Sequence, residues 1–289
     1  MSRPLVSIIV PTCNSAGYLE GCLRSIVRQD YERVELIVVD NNSRDNTKEI
    51  AARYTDHVYN RGPERSAQRN FGVQQSRGEY VLMIDSDMEL SREVVKSCVD
   101  AIPAHPSVKA IIIPEESFGK GFWAKCKKLE RSFYHGLDWQ EAARFFDRQI
   151  YDACGGYDEE LTGSEDYDFP NRIEQAHGKE SIGRVAPLIY HNEQQLRLMR
   201  VLRKKFYYGT TLGGYVRKDA NKERLARQTS LLWRYGVFLS RPFELCRHPL
   251  VGAGMLFMKT CEFAAGWVGY LWGKMLHLKI LNVVNRKGS

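Results

Sequence analysis

The chain of 289 residues is 43% hydrophobic and 27% charged, a globular composition with length for a domain of roughly 200 residues and an appendage, which excludes a disordered or fibrous chain. Its seven cysteines are odd in number, scattered and without paired spacing, which argues for reduced thiols in a cytosolic setting and against a disulfide framework or zinc site. The net charge of +7 is uneven: residues 200–289 hold 17 Lys/Arg against 4 Asp/Glu and residues 1–199 hold 25 against 31, so the larger part is acidic and no nucleic-acid partner is expected.

Met1-Ser2-Arg3-Pro4 carries no apolar region of signal-peptide length and leads straight into a first buried strand, Leu5-Val6-Ser7-Ile8-Ile9-Val10, closed by Pro11-Thr12-Cys13-Asn14. Residues 18–29 place Leu19, Cys22, Leu23 and Ile26 at helical spacing. A second strand over 34–39 stops at Asp40-Asn41-Asn42-Ser43, and a short helix follows over 47–54. A brief strand at 57–59 precedes Gly62-Pro63, and Ser66 is the expected cap of a helix that reaches residue 76 and carries Arg69 and Asn70.

The next strand, Tyr80-Val81-Leu82-Met83-Ile84, ends at Asp85-Ser86-Asp87. Ligands collect at the carboxyl ends of strands in twisted parallel sheets. Two carboxylates one residue apart can offer the hard oxygen donors that Mg2+ or Mn2+ takes alongside substrate phosphates. The plainer alternative is a polar loop whose acids cap the following helix. That helix is expected over 91–102, then a strand over 110–113, and residues 115–150 read as helical and aromatic-rich. Cys154-Gly155-Gly156-Tyr157 is a turn. Glu165, Asp166 and Asp168 crowd the start of a further helix, more acids than capping alone needs. Short strands at 182–185 and 188–190 follow, with His191 immediately after. The alternation predicts an α/β sandwich with a mainly parallel sheet. No Gly-x-Gly-x-x-Gly follows the first strand, and no Gly-Lys-Ser/Thr phosphate loop or internal repeat occurs.

Residues 6–14, 35–47, 66–72 and 78–87, the turn Gly155-Gly156-Tyr157-Asp158-Glu159 and the pair Glu165-Asp166 occur in one order. In that order they resemble the family-2 glycosyltransferases, and the likeness covers roughly residues 5–195. The resemblance implies the GT-A fold, a Rossmann-like sandwich. The catalytic domain would span 1–195, with a nucleotide-sugar half over 1–115, an acceptor half over 116–195, and a helical tail over 196–289. It implies transfer of a sugar, with inversion, from a nucleotide-sugar to an acceptor hydroxyl, with Mn2+ or Mg2+ on the diphosphate leaving group. A UDP-sugar is the expected donor.

By the same resemblance Asp87 ligates the metal, joined by Asp85, which also lies near the ribose or donor sugar, and by His191, whose alternative is a structural role. Asp40 hydrogen-bonds the base, with Pro11, Thr12, Asn14, Asn42 and Ser86 in the same nucleotide-sugar pocket. Arg69 contacts the base or diphosphate, or else is a helix-surface arginine paired with an acid. Asp166 is the expected general base on the acceptor side and Glu165 the second choice. Gly155 and Gly156 let the backbone approach the donor sugar or acceptor.

The tail alternates aromatic and basic residues, broken at Pro242 and Pro249. Residues 250–276 are long enough to cross a bilayer, but Lys259 and Glu262 are costly in hydrocarbon. Helices lying in the interface of an anionic membrane are expected, with Trp267 and Trp272 at headgroup depth. The alternatives are a bundle on the catalytic domain, a homo-oligomer through these helices, or a true span. The expected setting is cytoplasmic, peripheral to the inner face of the cell membrane, with a lipid-linked or polysaccharide acceptor. Rival functions are transfer to a soluble small molecule or protein, and a non-catalytic sugar-nucleotide or glycan-binding scaffold. Asp85, Asp87 and Asp166 together weigh against the scaffold.

Overall fold

The computed structural model describes residues 3–218 and 222–287. Met1, Ser2 and tail residues 219–221, 288 and 289 lie outside the described residues. The chain forms two compact units. One comprises Met1–Phe118, Tyr134–Glu159 and Glu165–Glu193; the other comprises Gly119–Phe133, Glu160–Ser164 and Gln194–Ser289. A single division at residue 195 thus leaves out two segments that group with the C-terminal helices.

The first unit begins with β1 (Val6–Thr12), α1 (Leu19–Val27), β2 (Val34–Asp40), α2 (Thr47–Ala51), β3 (Val58–Asn60), α3 (Arg65–Gln75) and β4 (Tyr80–Met83). It continues through β5 (Met88–Leu90), α4 (Val94–Ala104), β6 (Ala110–Ile112) and β7 (Glu115–Lys120). After α5 (Phe122–Ser132), which belongs to the second unit, come β8 (Ala143–Asp147), α6 (Arg148–Ala153), α7 (Glu165–His177), β9 (Ile182–Arg184) and β10 (Ile189–Gln195).

Among the described residues, seven strands form one sheet in the order β3-β2-β1-β4-β8-β6-β9. The pairs within β3-β2-β1-β4 and β6-β9 are parallel, and β8 runs antiparallel between β4 and β6. Every residue of β1 is buried, as a central strand covered on both faces requires. Side chains alternate between faces. Val6, Ile8 and Val10 join α1 and α4 in one core, and Ile9 joins Val73 of α3, Tyr151 of α6 and Phe169 of α7 in the other. A second sheet has the order β5-β10-β7, and its first strand follows β4 directly in sequence.

Three expectations need correction. Residues 115–150 are not uniformly helical, because β7 and β8 occupy both ends of that stretch. Ala143-Arg144-Phe145-Phe146 is buried along its whole length between two strands, so it lacks the alternation that marks a half-exposed strand. Ser66 is inside α3 and does not cap it; the flanking residue is Glu64, which makes no side-chain cap hydrogen bond. His191 lies within β10, not after it.

The second unit holds α5 and, after β10, α8 (Leu198–Lys218), α9 (Lys222–Thr229), α10 (Leu231–Leu239), α11 (Pro242–Arg247) and α12 (Pro249–Lys287). A Cβ on Gly209 of α8 would collide with the Gly266 carbonyl of α12, and one on Gly269 with the Phe206 carbonyl. The two backbones touch there because glycine leaves room. Among the described residues, no helix is long and apolar enough to cross a membrane.

Candidate active site

α3 is the frame of the site. Its inward side chains sit on successive turns and reach three different elements. Gln68 Nε2 donates to the carbonyls of Thr12 (2.9 Å) and Val39 (2.6 Å), joining the ends of β1 and β2. Arg69 is fully buried, with its guanidinium 4.9 Å from the Tyr157 ring centroid. Its Nη2 donates to Asp85 Oδ1 at 2.7 Å and its Nη1 to Asp166 Oδ1 at 2.7 Å. Arg65, one turn earlier, sets Nη2 3.0 Å from Glu165 Oε1. Asn70 accepts from Tyr157 N (2.9 Å) and Tyr151 Oη (2.7 Å) and donates to the Tyr157 carbonyl (2.8 Å).

Asp85 closes a turn in which Met88 N donates to its carbonyl at 2.9 Å. Its carboxylate faces inward, with Arg65 Nη1 and Arg144 Nη1 at 3.7 and 3.8 Å beyond the Arg69 contact. Burial pushes its carboxyl up, but Arg69, Arg144 and Arg65 outweigh this and hold it well below the usual carboxylate range. Glu165 shifts the other way: burial, then the Asp166 charge, raises it despite Arg65 and Arg69. Asp166 remains partly exposed at the start of α7.

Asp87, also partly exposed, belongs to a different corner. Asn192 N donates to its carbonyl at 2.7 Å, and His191 pairs with Met88 across β10 and β5. This register sets His191 Nε2 3.7 Å from Asp87 Oδ2. His191 Nδ1 lies 3.4 Å from Glu193 Oε1, which itself accepts from Ser117 Oγ at 2.8 Å. Among the described residues, no three His, Cys, Asp or Glu side chains form a ready cation cage. The Asp87 carboxylate would still offer a hard oxygen donor to Mn2+ or Mg2+, with the His191 imidazole beside it, and such ions commonly need only one or two protein carboxylates. Asp85 is engaged by arginines instead.

The expected nucleotide residues gather at the ends of β1 and β2 in two layers. Asp40 is fully buried and accepts from Thr12 Oγ1 (2.9 Å), Ser43 N (2.7 Å) and Ser43 Oγ (2.5 Å). In this conformation it orders the loop and presents no surface to a base. Pro11 and Thr12 are buried with it, and Ser86 is tied to Ser15 Oγ at 2.9 Å. The exposed rim is Cys13, Asn14 and Asn42. Asn14 and Asn42 have φ of 50° and 51°, a left-handed backbone that asparagine tolerates. Asn14 N donates to Ser43 Oγ at 2.7 Å, and Asn14 Oδ1 accepts from Arg44 N at 2.9 Å.

Gly155 and Gly156 have φ of 77° and 65°. A Cβ on Gly156 would meet Asn70 Oδ1 at 2.7 Å and Tyr151 Cε1 at 2.9 Å. That space is filled by the protein itself. At Gly155 a Cβ would meet nothing within 4 Å.

Residues 7–157 match the family model for Glycosyl transferase family 2. The chain belongs to this family. Among family-2 relatives, it is 32% identical over 126 residues to the poly(ribitol-phosphate) beta-N-acetylglucosaminyltransferase TarS of Staphylococcus aureus, covering 40% of this chain and 22% of that one. It is 31% identical over 135 residues to a GalNAc(5)-diNAcBac-PP-undecaprenol beta-1,3-glucosyltransferase of Campylobacter jejuni, covering 42% and 43%. The chain spans less than half the length of either relative. Its fold is similar to that of the mannosyltransferase PcManGT from Pyrobaculum calidifontis, solved with GDP-Man and Mn2+, with a TM-score of 0.65, 18% identity and coverage of 95% and 89%. The expected GT-A fold is the fold observed.

Sequence reasoning missed Arg65, Gln68 and Arg144. Arg65 stands four residues before Arg69, on the same helix face, and that spacing was the available signal. Nothing in the sequence around Arg144 pointed to the site. It enters through the antiparallel insertion of β8, donating from Nε to Glu115 Oε1 at 2.7 Å while Nη1 stays buried without a hydrogen-bond partner.

Proposed function

We propose that the chain transfers a sugar, with inversion, from a UDP-sugar to a hydroxyl of a lipid-linked or polysaccharide acceptor. The observation that carries this reading is the Arg69 bridge, which holds Asp85 at the end of β4 and Asp166 at the start of α7 on one guanidinium. Arg69 occupies Asp166 Oδ1 and leaves the second oxygen for an acceptor hydroxyl. Asp166 takes the hydroxyl proton while the acceptor oxygen bonds to the anomeric carbon and the bond from that carbon to the diphosphate oxygen breaks. Attack from the face opposite the leaving group inverts the centre. Asp85 and the rim residues Asn14 and Asn42 orient the donor, and Asp40 keeps their loop in shape.

Asp87 and His191 would hold Mn2+ or Mg2+, which would supply charge neutralisation at the leaving group. The names of the TarS and Campylobacter relatives support a polymer or lipid-linked acceptor. The basic C-terminal helices support peripheral attachment to the cytoplasmic membrane face. A screen of nucleotide-sugar hydrolysis in Mn2+ and Mg2+ tests the reading. Release of UDP from at least one UDP-sugar is expected. Turnover of no nucleotide-sugar, or full activity in excess EDTA, contradicts the transfer or its metal dependence respectively.

A further inference from the structure

Over most of its length α12 turns its charges inside and its apolar residues outside. On α12, Lys259 and Glu262 are 6% and 3% exposed. They meet Lys127 and Glu130 of α5. Lys259 Nζ donates to Glu262 Oε2 at 2.7 Å and contacts Glu130 Oε1; Lys127 Nζ donates to Glu130 Oε2 at 2.8 Å and to Glu262 Oε1 at 3.0 Å. Each ammonium bridges both carboxylates, so the four charges close into a ring. From residue 249 to 273 the helix has no other Asp, Glu, Lys or Arg, and both of its charges point inward.

The outward side of the same stretch is apolar. Phe257, Trp267 and Leu271 are 56%, 56% and 54% exposed, with Ala264 between them and Met275 beyond, at spacings of three, four and seven residues that keep one helix face. A helix facing water shows the reverse arrangement, with charges out and apolar residues in. Ionisable groups turned to the protein interior and apolar groups turned outward are the pattern of a helix facing hydrocarbon.

Charge decides between lipid and a second copy. Arg203 and Lys204 of α8 and Lys274 of α12 are exposed, and residues 200–289 hold 17 Lys/Arg against 4 Asp/Glu. Two such surfaces repel each other, whereas an anionic leaflet attracts them. We propose that the outward face of α12 rests against the hydrocarbon of an anionic bilayer, with the Lys127–Glu130–Lys259–Glu262 ring as the internal polar core that leaves this face uncharged from residue 249 to 273 and with Lys274 at its end reaching the lipid headgroups. The proposal rests on the membrane attachment put forward above and deepens it; it does not depend on the chemistry of the first unit.

The test uses the full chain and vesicles of mixed anionic and neutral lipids with brominated acyl chains, which quench tryptophan only on contact. Quenching is expected in the wild type and largely lost in Trp267→Phe/Trp272→Phe. Leu271→Glu and Phe257→Glu, at exposed positions, should lower the vesicle-bound fraction at least tenfold while UDP binding and melting temperature stay unchanged. Absence of quenching, or an unchanged bound fraction in both charged variants, overturns the proposal. So does a wild-type dimer that Leu271→Glu dissociates without any vesicle binding. Failure of the glycosyl-transfer reading looks different: quenching persists and no UDP-sugar is bound or turned over.

Discussion

Removing Arg69 disturbs the site at its most loaded contact. The guanidinium is fully buried and donates at 2.7 Å to each of Asp85 and Asp166. Arg69→Met leaves both carboxylates short of a partner, Asp85 in a desolvated setting and Asp166 partly exposed. Removing one member of a buried ion pair costs about 3–5 kcal/mol. Arg65 and Arg144, at 3.7 and 3.8 Å from Asp85, are beyond hydrogen-bond reach and recover little. At about 2–4 °C per kcal/mol for a domain of this size, the melting temperature should fall by roughly 6–20 °C. Arg69→Lys separates charge from geometry: the cation remains, but a single ammonium does not match the planar fork that spans two acids. It should lose about 1.5–3 kcal/mol, the worth of one charged hydrogen bond. Calorimetry and urea unfolding of both variants give the comparison. Melting within a degree of wild type for Arg69→Met, or equal loss in the two variants, refutes the bridging role.

Asp166→Asn should lower turnover by about 10²–10⁴-fold with nucleotide affinity intact; a collapse of affinity instead would make Asp166 a donor-binding residue. Asp87→Asn and His191→Ala should each bring UDP affinity in Mn2+ down to the wild-type level in EDTA, read by titration calorimetry. An undiminished Mn2+ response in both variants would put the cation elsewhere. Asp85 links the site to pH. Burial raises its carboxyl but Arg69, Arg144 and Arg65 hold it low, so its folded value lies under the unfolded value of about 3.9. Its stabilising contribution is complete above that value and is lost as pH falls towards the folded one. The stability gap between wild type and Asp85→Asn should therefore be widest near neutral pH and shrink on acidification below about pH 4; a constant gap contradicts the ion-pair assignment.

The parallel half of the sheet was legible because its strands are short apolar runs stopped by polar turns, as at Asp40 and Asp85. β8 was not, since Arg144 interrupts its apolar run and its neighbours in the sheet are distant in sequence. Asp87 and His191 were paired by resemblance alone; what brings them together is the β5–β10 register, and antiparallel pairing over such a separation leaves no local trace. Asp40 was expected to face a ligand by resemblance alone. Thr12 and Ser43 turn it inward, and hydroxyl partners of this kind are common in loops and so carry little signal. Residues 119–133 group with the C-terminal helices, where Lys127 meets Glu262 across more than a hundred residues, a separation that leaves no local signal.

α3 divides the site into parts that can vary and a part that cannot vary piecemeal. Gln68, Arg69 and Asn70 are consecutive, yet they bind strand ends, two carboxylates and the Gly156-Tyr157 turn. A shift of this helix to accommodate one of those partners would drag the other two with it. On the proposed reading, substitutions that change nucleotide-sugar binding are best borne at Asn14 and Asn42, which hang from the frame at the exposed rim. Those rim positions can be diversified as a library while residues 65–70 are kept fixed, since a change at the rim leaves the three partners of the helix in place.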